Sequence, residues 1–97
     1  MSRQPVTPWR VSATTSATQL AGAIAKSVRD QEPYITLQAV GAGAVNQAIK
    51  SIAIARTYLA QDDAGLDLIT TPEFTEVRMN RAVRTAIRFT VDVVMQE

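Results

Sequence analysis

Two glycines, Gly41 and Gly43, stand between an apolar run of strand length and a long helical pattern. Glycines at such a junction allow a sharp turn and leave backbone N–H groups uncovered by side chains. The N-terminus of the following helix then favours an anion such as phosphate. Asn46 and Lys50 add an amide donor and a positive charge at the start of this helix. These four residues are a candidate phosphate contact, and a turn needed only for helix packing explains the glycines as well.

The same glycines also match the beginning of a dinucleotide-binding fingerprint. That fingerprint needs a third glycine, and Asn46 stands in its place. The acidic pair Asp62-Asp63 lies in a turn instead of at a strand end, where such an acid would bind a ribose. The chain has 97 residues, which leaves little room for a full cofactor domain. We therefore expect no dinucleotide site.

Four arginines fall within eleven residues near the C-terminus, with no acidic residue between them: Arg78, Arg81, Arg84 and Arg88. On an exposed strand face, such charges keep a sheet edge soluble and discourage strand addition. On a projecting hairpin, they bind phosphates or enter a nucleic-acid groove. The residues that we assign to nucleic-acid binding are Gly41, Gly43, Asn46, Lys50, Arg78, Arg81 and Arg84.

The composition argues against catalysis. The chain has no cysteine and no histidine, which removes thiolate nucleophiles, disulfides, and the commonest general base and zinc ligand. An enzyme would have to use carboxylates such as Asp62, Asp63, Asp67, Glu73 and Glu76, and acids close in sequence are usually solvated surface. The turn at Asp62 lacks the spaced oxygen ligands of a calcium loop. We expect no enzymatic activity, no metal and no cofactor.

The pattern of the chain predicts six elements in the order β-α-β-α-β-β. After a flexible tail at residues 1–8, a single domain spans 9–97. Ser16 and Gln19 have the spacing of a helix cap, and Pro72 indicates a bulge or an edge position in the third strand. The predicted strands span 9–12, 34–40, 66–80 and 84–93. The first predicted helix begins at Ser16, and the second spans about 44–61. Alternation in the last strand favours a two-layer α+β fold, with two helices on one face of a mixed four-stranded sheet.

Two residues interrupt the pattern of the second predicted helix. Arg56 falls in the middle of the apolar face formed by Val45, Ala48, Ile49, Ile52, Ala53 and Leu59, so we expect it to form a salt bridge or to extend to solvent. Ile54 falls on the polar face, where contact with a second subunit would cover it. We therefore assign Ile54 and Tyr58 to the interface of a homodimer or higher homo-oligomer, in which the second helix and the last two strands pair.

Five segments of the chain carry a family resemblance: Leu20–Ala25, Gln38–Lys50, Ala53–Arg56, Pro72–Thr75 and Arg84–Ile87. They resemble the stage V sporulation protein S family, which has an Alba-like fold. The resemblance implies a small regulatory protein of bacterial sporulation or development, on a fold that other members use to bind DNA or RNA as dimers. Two features depart from the family pattern: the loop at 13–15 has no lysine, and the tip at 80–83 has neither glycine nor acid.

The predicted function is that of a nucleic-acid-binding regulatory protein. Few aromatic residues are free for base stacking, so binding should follow the backbone with weak sequence preference, to DNA or RNA. The alternative is a regulator that binds proteins in a developmental pathway and no nucleic acid, which the net charge of only +1 favours. The chain has no apolar run long enough to cross a membrane and no signal peptide, so we expect a cytoplasmic protein without membrane contact.

Overall fold

The computed structural model describes residues 7–96. Residues 1–6, which make up most of the predicted tail, and Glu97 lie outside the described residues. The elements are β1 (Trp9–Val11), α1 (Ala17–Arg29), β2 (Tyr34–Ala39), α2 (Ala42–Ala60), β3 (Leu66–Met79) and β4 (Ala82–Met95). Their order confirms the sequence prediction. Within the described residues, no helix combines the length and the apolar character that a membrane span needs.

The four strands form one mixed sheet in the order β1-β2-β4-β3. β1 runs parallel to β2, and the other neighbours are antiparallel. Parallel neighbours need a crossover, and α1 supplies it. The core lies between the helices and one sheet face, where Ile24 and Ile52 belong to the same buried cluster as Leu37, Phe89 and Val91. The predicted two-layer α+β architecture is therefore correct.

Helix α1 follows its sequence pattern closely. Ser16 caps it, with its Oγ accepting a hydrogen bond from the Gln19 N–H at 3.2 Å. Its buried residues lie on one face at helical spacing: Ala17, Ala21, Ile24, Ala25 and Val28. Local capping and helical periodicity were enough to define this element, because both depend on residues only a few positions apart.

Helix α2 is rotated relative to its predicted orientation. Its buried residues are mostly small: Ala44, Ala48, Ser51, Ile52, Ala55 and Leu59. Ala53 and Ile49 are exposed, whereas Ile54 packs against the core. The placement of Arg56 on the apolar face and of Ile54 on the polar face was therefore wrong. A row of alanines lets α2 approach its neighbours closely. The buried face of α2 is therefore set by the small size of its residues more than by their apolar character.

Strand β3 lies at the edge of the sheet and pairs only with β4. Its register is unbroken from Leu66 opposite Met95 to Met79 opposite Ala82. Pro72 therefore marks an edge position and no bulge, since its missing N–H removes no bond to a second neighbour. Ala86 of β4 is only 1% exposed, although it lies on the sheet face opposite to the core residues Phe89 and Val91.

Candidate nucleic-acid interface

The far ends of β3 and β4 extend beyond the sheet as a hairpin arm, formed by residues 75–86. β2 pairs with β4 only between Ile87 and Asp92, so the arm has no third strand beside it. Val83, Arg84 and Thr85 are exposed. The predicted hairpin is thus present, and its tip stands clear of the sheet.

Asn80 and Arg81 form the two-residue turn at the tip of the arm. Both have a positive φ, 50° for Asn80 and 66° for Arg81. A two-residue hairpin turn with two positive φ angles matches the twist of the strands, and it favours asparagine followed by glycine. Arg81 therefore stands at a position where glycine is preferred and any other side chain is strained.

The three arginines assigned to binding lie at the tip and on both faces of the arm. Arg84 pairs with Val77 across the strands, whereas Arg78 pairs with Val83. Successive strand residues point to opposite faces, so Arg78 and Arg84 lie on opposite sides of the arm. Arg81 lies between them at the tip. The arrangement gives a projection with positive charge on both faces.

The basic side chains fall into two sets. Four are paired with acids, in the pairs Lys26–Asp30, Arg29–Asp62, Arg56–Asp67 and Arg88–Glu73. Within residues 7–96, the others have neither an ion pair nor a side-chain hydrogen bond: Arg10, Lys50, Arg78, Arg81 and Arg84. The four basic residues predicted to bind nucleic acid all belong to this unpaired set. Four cations of the body thus have acidic partners, whereas the three arginines of the arm have none within the described residues.

Three of the acids considered for catalysis form ion pairs with arginines: Asp62, Asp67 and Glu73. The Arg56 guanidinium donates two hydrogen bonds to Asp67, and the Leu68 N–H donates another. Together they lower the pKa of Asp67 to about 2. Asp62 has its pKa lowered chiefly by hydrogen bonds from Arg29. Within residues 7–96, no group of three or more acidic side chains could hold a metal ion.

The structure gives each glycine of the β2–α2 junction a separate role. Gly41 is the N-cap of α2, and its φ of 93° is one that other residues rarely adopt. A Cβ on Gly43 would lie 2.8 Å from the Cβ of Ala13. The packing explanation therefore accounts for Gly43, which allows the β1–α1 loop to lie against α2. No side chain caps α2, so its first N–H groups have no cap partner.

The polar residues of the first turns of α2 differ in what they contact. Gln47 donates from Nε2 to the Thr15 carbonyl at 2.8 Å, which fastens the β1–α1 loop. Asn46 is exposed and donates from Nδ2 to Gln47 Oε1, at 3.3 Å. Lys50 is exposed one turn further along. Asn46 and Lys50 thus remain accessible, while Gln47 has a structural role.

An apolar cleft connects the start of α2 with the base of the arm. Gly41 and Asn46 line it together with Val45, Ile49, Phe74, Thr85 and Ile87. Phe74, on the edge strand β3, is 79% exposed, so its ring packs little against the core. Ile54 and Tyr58, which we assigned to an oligomer interface, are half-buried against their own core. One sequence signal favoured the exposure of Phe74: it follows Pro72, which indicates a bulge or an edge position in the strand.

Comparison with known proteins relates the chain to a protein family and to a solved structure. The model of the family described as Stage V sporulation protein S (SpoVS) matches residues 8–94. Among solved structures, Alba from Thermoplasma volcanium is similar, with a TM-score of 0.58 and 10% sequence identity. The similarity covers 87% of this chain and 96% of that chain. At this identity, the likeness establishes the Alba-like fold alone.

Proposed function

The chain belongs to the stage V sporulation protein S family, and from that premise we propose that it regulates sporulation or development by binding nucleic acid through its hairpin arm. The observation that carries this proposal is the separation of paired from unpaired basic side chains. Four cations of the body have acidic partners. Arg78, Arg81 and Arg84 have none within residues 7–96 and project from the sheet. Free guanidinium groups on a projection suit the phosphates of a nucleic-acid backbone.

The turn at the tip supports the same proposal. Arg81 has a φ of 66°, a conformation in which a non-glycine residue is strained. Residues held in such conformations cluster at functional sites, where another requirement outweighs the local cost. A positive charge at the tip is such a requirement, since the tip is the part of the arm that reaches furthest.

The binding mode that fits this surface follows the backbone. Arginines on both faces of the arm can contact the two phosphate chains on either side of a groove. Asn46 and Lys50, with the uncapped start of α2, offer a second contact near the base of the arm. In a homodimer, the two arms would flank one shared surface. Both DNA and RNA present the phosphates that this surface suits.

The test is fluorescence anisotropy with labelled duplex and single-stranded DNA and RNA, at low and moderate salt. We expect affinity to fall with salt for the wild-type protein. For duplex DNA, each arginine that contacts a phosphate should contribute about 0.9 to the slope of log K against log salt. The variant Arg78→Ala/Arg81→Ala/Arg84→Ala should bind more weakly and show a shallower slope.

The matched control is a cation outside the arm. Lys26 is 76% exposed and paired with Asp30 one turn away, so Lys26→Ala removes the same charge as Arg81→Ala at little cost to the fold. We expect Lys26→Ala to bind as the wild type does, and Arg81→Ala to bind more weakly. Equal loss in both variants would point to net charge instead of the arm. Absence of binding at low salt would overturn the proposal.

A second candidate function is favoured by the apolar cleft. Phe74 is 79% exposed beside Ile49, which is 45% exposed, and both line that cleft. An exposed aromatic ring at an apolar cleft is typical of a protein contact. A second copy of the chain, or a protein partner of a developmental pathway, would cover it. If the anisotropy experiment finds no binding, this function becomes the leading one.

A further inference from the structure

A second cleft, which we call the loop–arm cleft, lies between residues 12–15 of the β1–α1 loop and residues 77–79 of the arm. Its volume is about 300 Å³, at the lower end of the range for small-molecule sites. Gln38 and Val40, at the end of β2, also line it. The cleft thus lies at the carboxyl ends of the two parallel strands, a position where open α/β sheets often bind ligands.

The lining of the loop–arm cleft combines apolar and cationic groups. Val40, Val77 and Met79 offer apolar surface. Arg10 and Gln38 also line the cleft, and they lie side by side in the register of β1 and β2. Arg78 borders the cleft, but its side chain leaves β3 on the face opposite to Val77 and Met79. None of its lining residues is acidic. The cleft is therefore suited to a molecule with an anionic group on an apolar or planar body.

The polar groups of this cleft are unused within the described part of the chain. Arg10, Gln38 and Arg78 make no side-chain hydrogen bond or ion pair with residues 7–96. The Arg10 guanidinium can donate a pair of hydrogen bonds to one phosphate. The Gln38 amide can both donate and accept, which is the pattern that amide side chains use on the edge of a base.

The opposite wall is held in place by its own hydrogen bonds. Thr15 Oγ1 accepts from the Ser12 N–H at 2.8 Å, and the Thr15 N–H donates to the Ser12 carbonyl at 3.1 Å. Gln47 holds the Thr15 carbonyl from the other side. A wall fixed before a ligand arrives lowers the entropy cost of binding.

We propose that the loop–arm cleft binds one nucleotide, with its phosphate on Arg10 and its base between Gln38 and the apolar side chains. A mononucleotide has both the anion and the planar body that the lining suits. The site does not depend on the proposed function, because Arg10 and Gln38 lie outside the arm. The nucleotide is either free in solution or the end of a strand, since both present the same phosphate and base.

The experiment is a titration of the ¹⁵N-labelled protein with each of the four ribonucleoside monophosphates, followed by NMR chemical shifts. We expect saturable shifts at Ser12, Thr15, Gln38 and Met79. Arg10→Gln should weaken binding about tenfold, because it removes one charge-assisted contact. Met79→Trp should abolish nucleotide binding, because the larger side chain fills the cleft. The NMR spectrum of this variant without nucleotide reports whether it is folded.

The matched control is Arg84→Gln, an arginine of the arm that does not line the cleft. It should leave mononucleotide binding unchanged and weaken binding of a long strand, so the two proposals can fail separately. If a pentanucleotide binds more tightly than a mononucleotide, and Arg84→Gln removes this difference in affinity, the ligand is a strand end. Equal affinity for the mononucleotide and the pentanucleotide identifies the free nucleotide as the ligand. Inorganic phosphate with the same shifts and midpoint, or no saturable shift with any nucleotide, would overturn the proposal.

Discussion

Arg56 of α2 holds Asp67 of β3 in a two-pronged contact, Nε to Oδ1 at 2.7 Å and Nη2 to Oδ2 at 2.9 Å. The carboxylate also accepts from the Leu68 N–H and from the Gln96 side chain. The side chain of Asp67 is only 15% exposed, whereas that of Arg56 is 55% exposed. This contact joins the second helix to the edge strand and to the end of β4.

The first prediction concerns acid stability. Because these contacts favour the ionised form, the pKa of Asp67 is about 2 in the folded protein, against 3.8 for a free side chain. Their contribution is therefore complete above about pH 4 and is lost as the pH falls towards 2. Asp67→Asn should lower the free energy of unfolding near pH 7 by about 1 to 2 kcal/mol, since the exposed Arg56 is screened by water. Urea unfolding from pH 7 to pH 2 measures this, and an equal acid dependence in both proteins would contradict it.

The second prediction concerns Gly43. A methyl group there would meet the Cβ of Ala13, which the backbone holds in place. Gly43→Ala should therefore cost about 1 to 2 kcal/mol, despite the helix-favouring effect of alanine. In an Ala13→Gly background, the same substitution should be neutral or stabilising. Thermal unfolding of the four proteins in this double-mutant cycle gives the coupling, and additive effects would show that the contact does not matter.

The third prediction separates stability from binding at the tip. Arg81→Gly relieves a positive φ and completes the favoured asparagine-glycine turn. It should raise the free energy of unfolding by about 0.5 kcal/mol, because greater freedom of the unfolded chain offsets part of the gain. The same variant should bind nucleic acid more weakly, as measured by anisotropy. A loss of both properties would mean that Arg81 supports the fold of the arm.

The fourth prediction concerns self-association. We expect a dimer at tens of micromolar, a rough working scale for weak association. Phe74→Ser should weaken it at least tenfold if the apolar cleft is the contact, since exposed aromatic side chains often dominate interfaces. Val83→Ser, which changes an exposed apolar residue outside that cleft, is the control. Sedimentation velocity measures all three proteins, and a monomeric wild type would count against the dimer.

The sequence defined the features that depend on neighbours along the chain. The Ser16 cap, the apolar face of α1 and the turn after Met79 all depend on residues within a few positions. Such local signals are readable because capping, periodicity and turn geometry act over one or two turns of chain. The family resemblance added the fold as a whole, which the match over residues 8–94 confirms.

The tertiary structure decided what depends on distant partners. The sequence showed that arginines are present but not that Arg29 is paired with Asp62, 33 positions away, while Arg78 and Arg84 are left free. It also misjudged the buried face of α2, where alanines pack and Ile49 is exposed. Ion pairs and buried faces depend on which surfaces come into contact in the folded protein. The order of residues along the chain does not specify these contacts by itself.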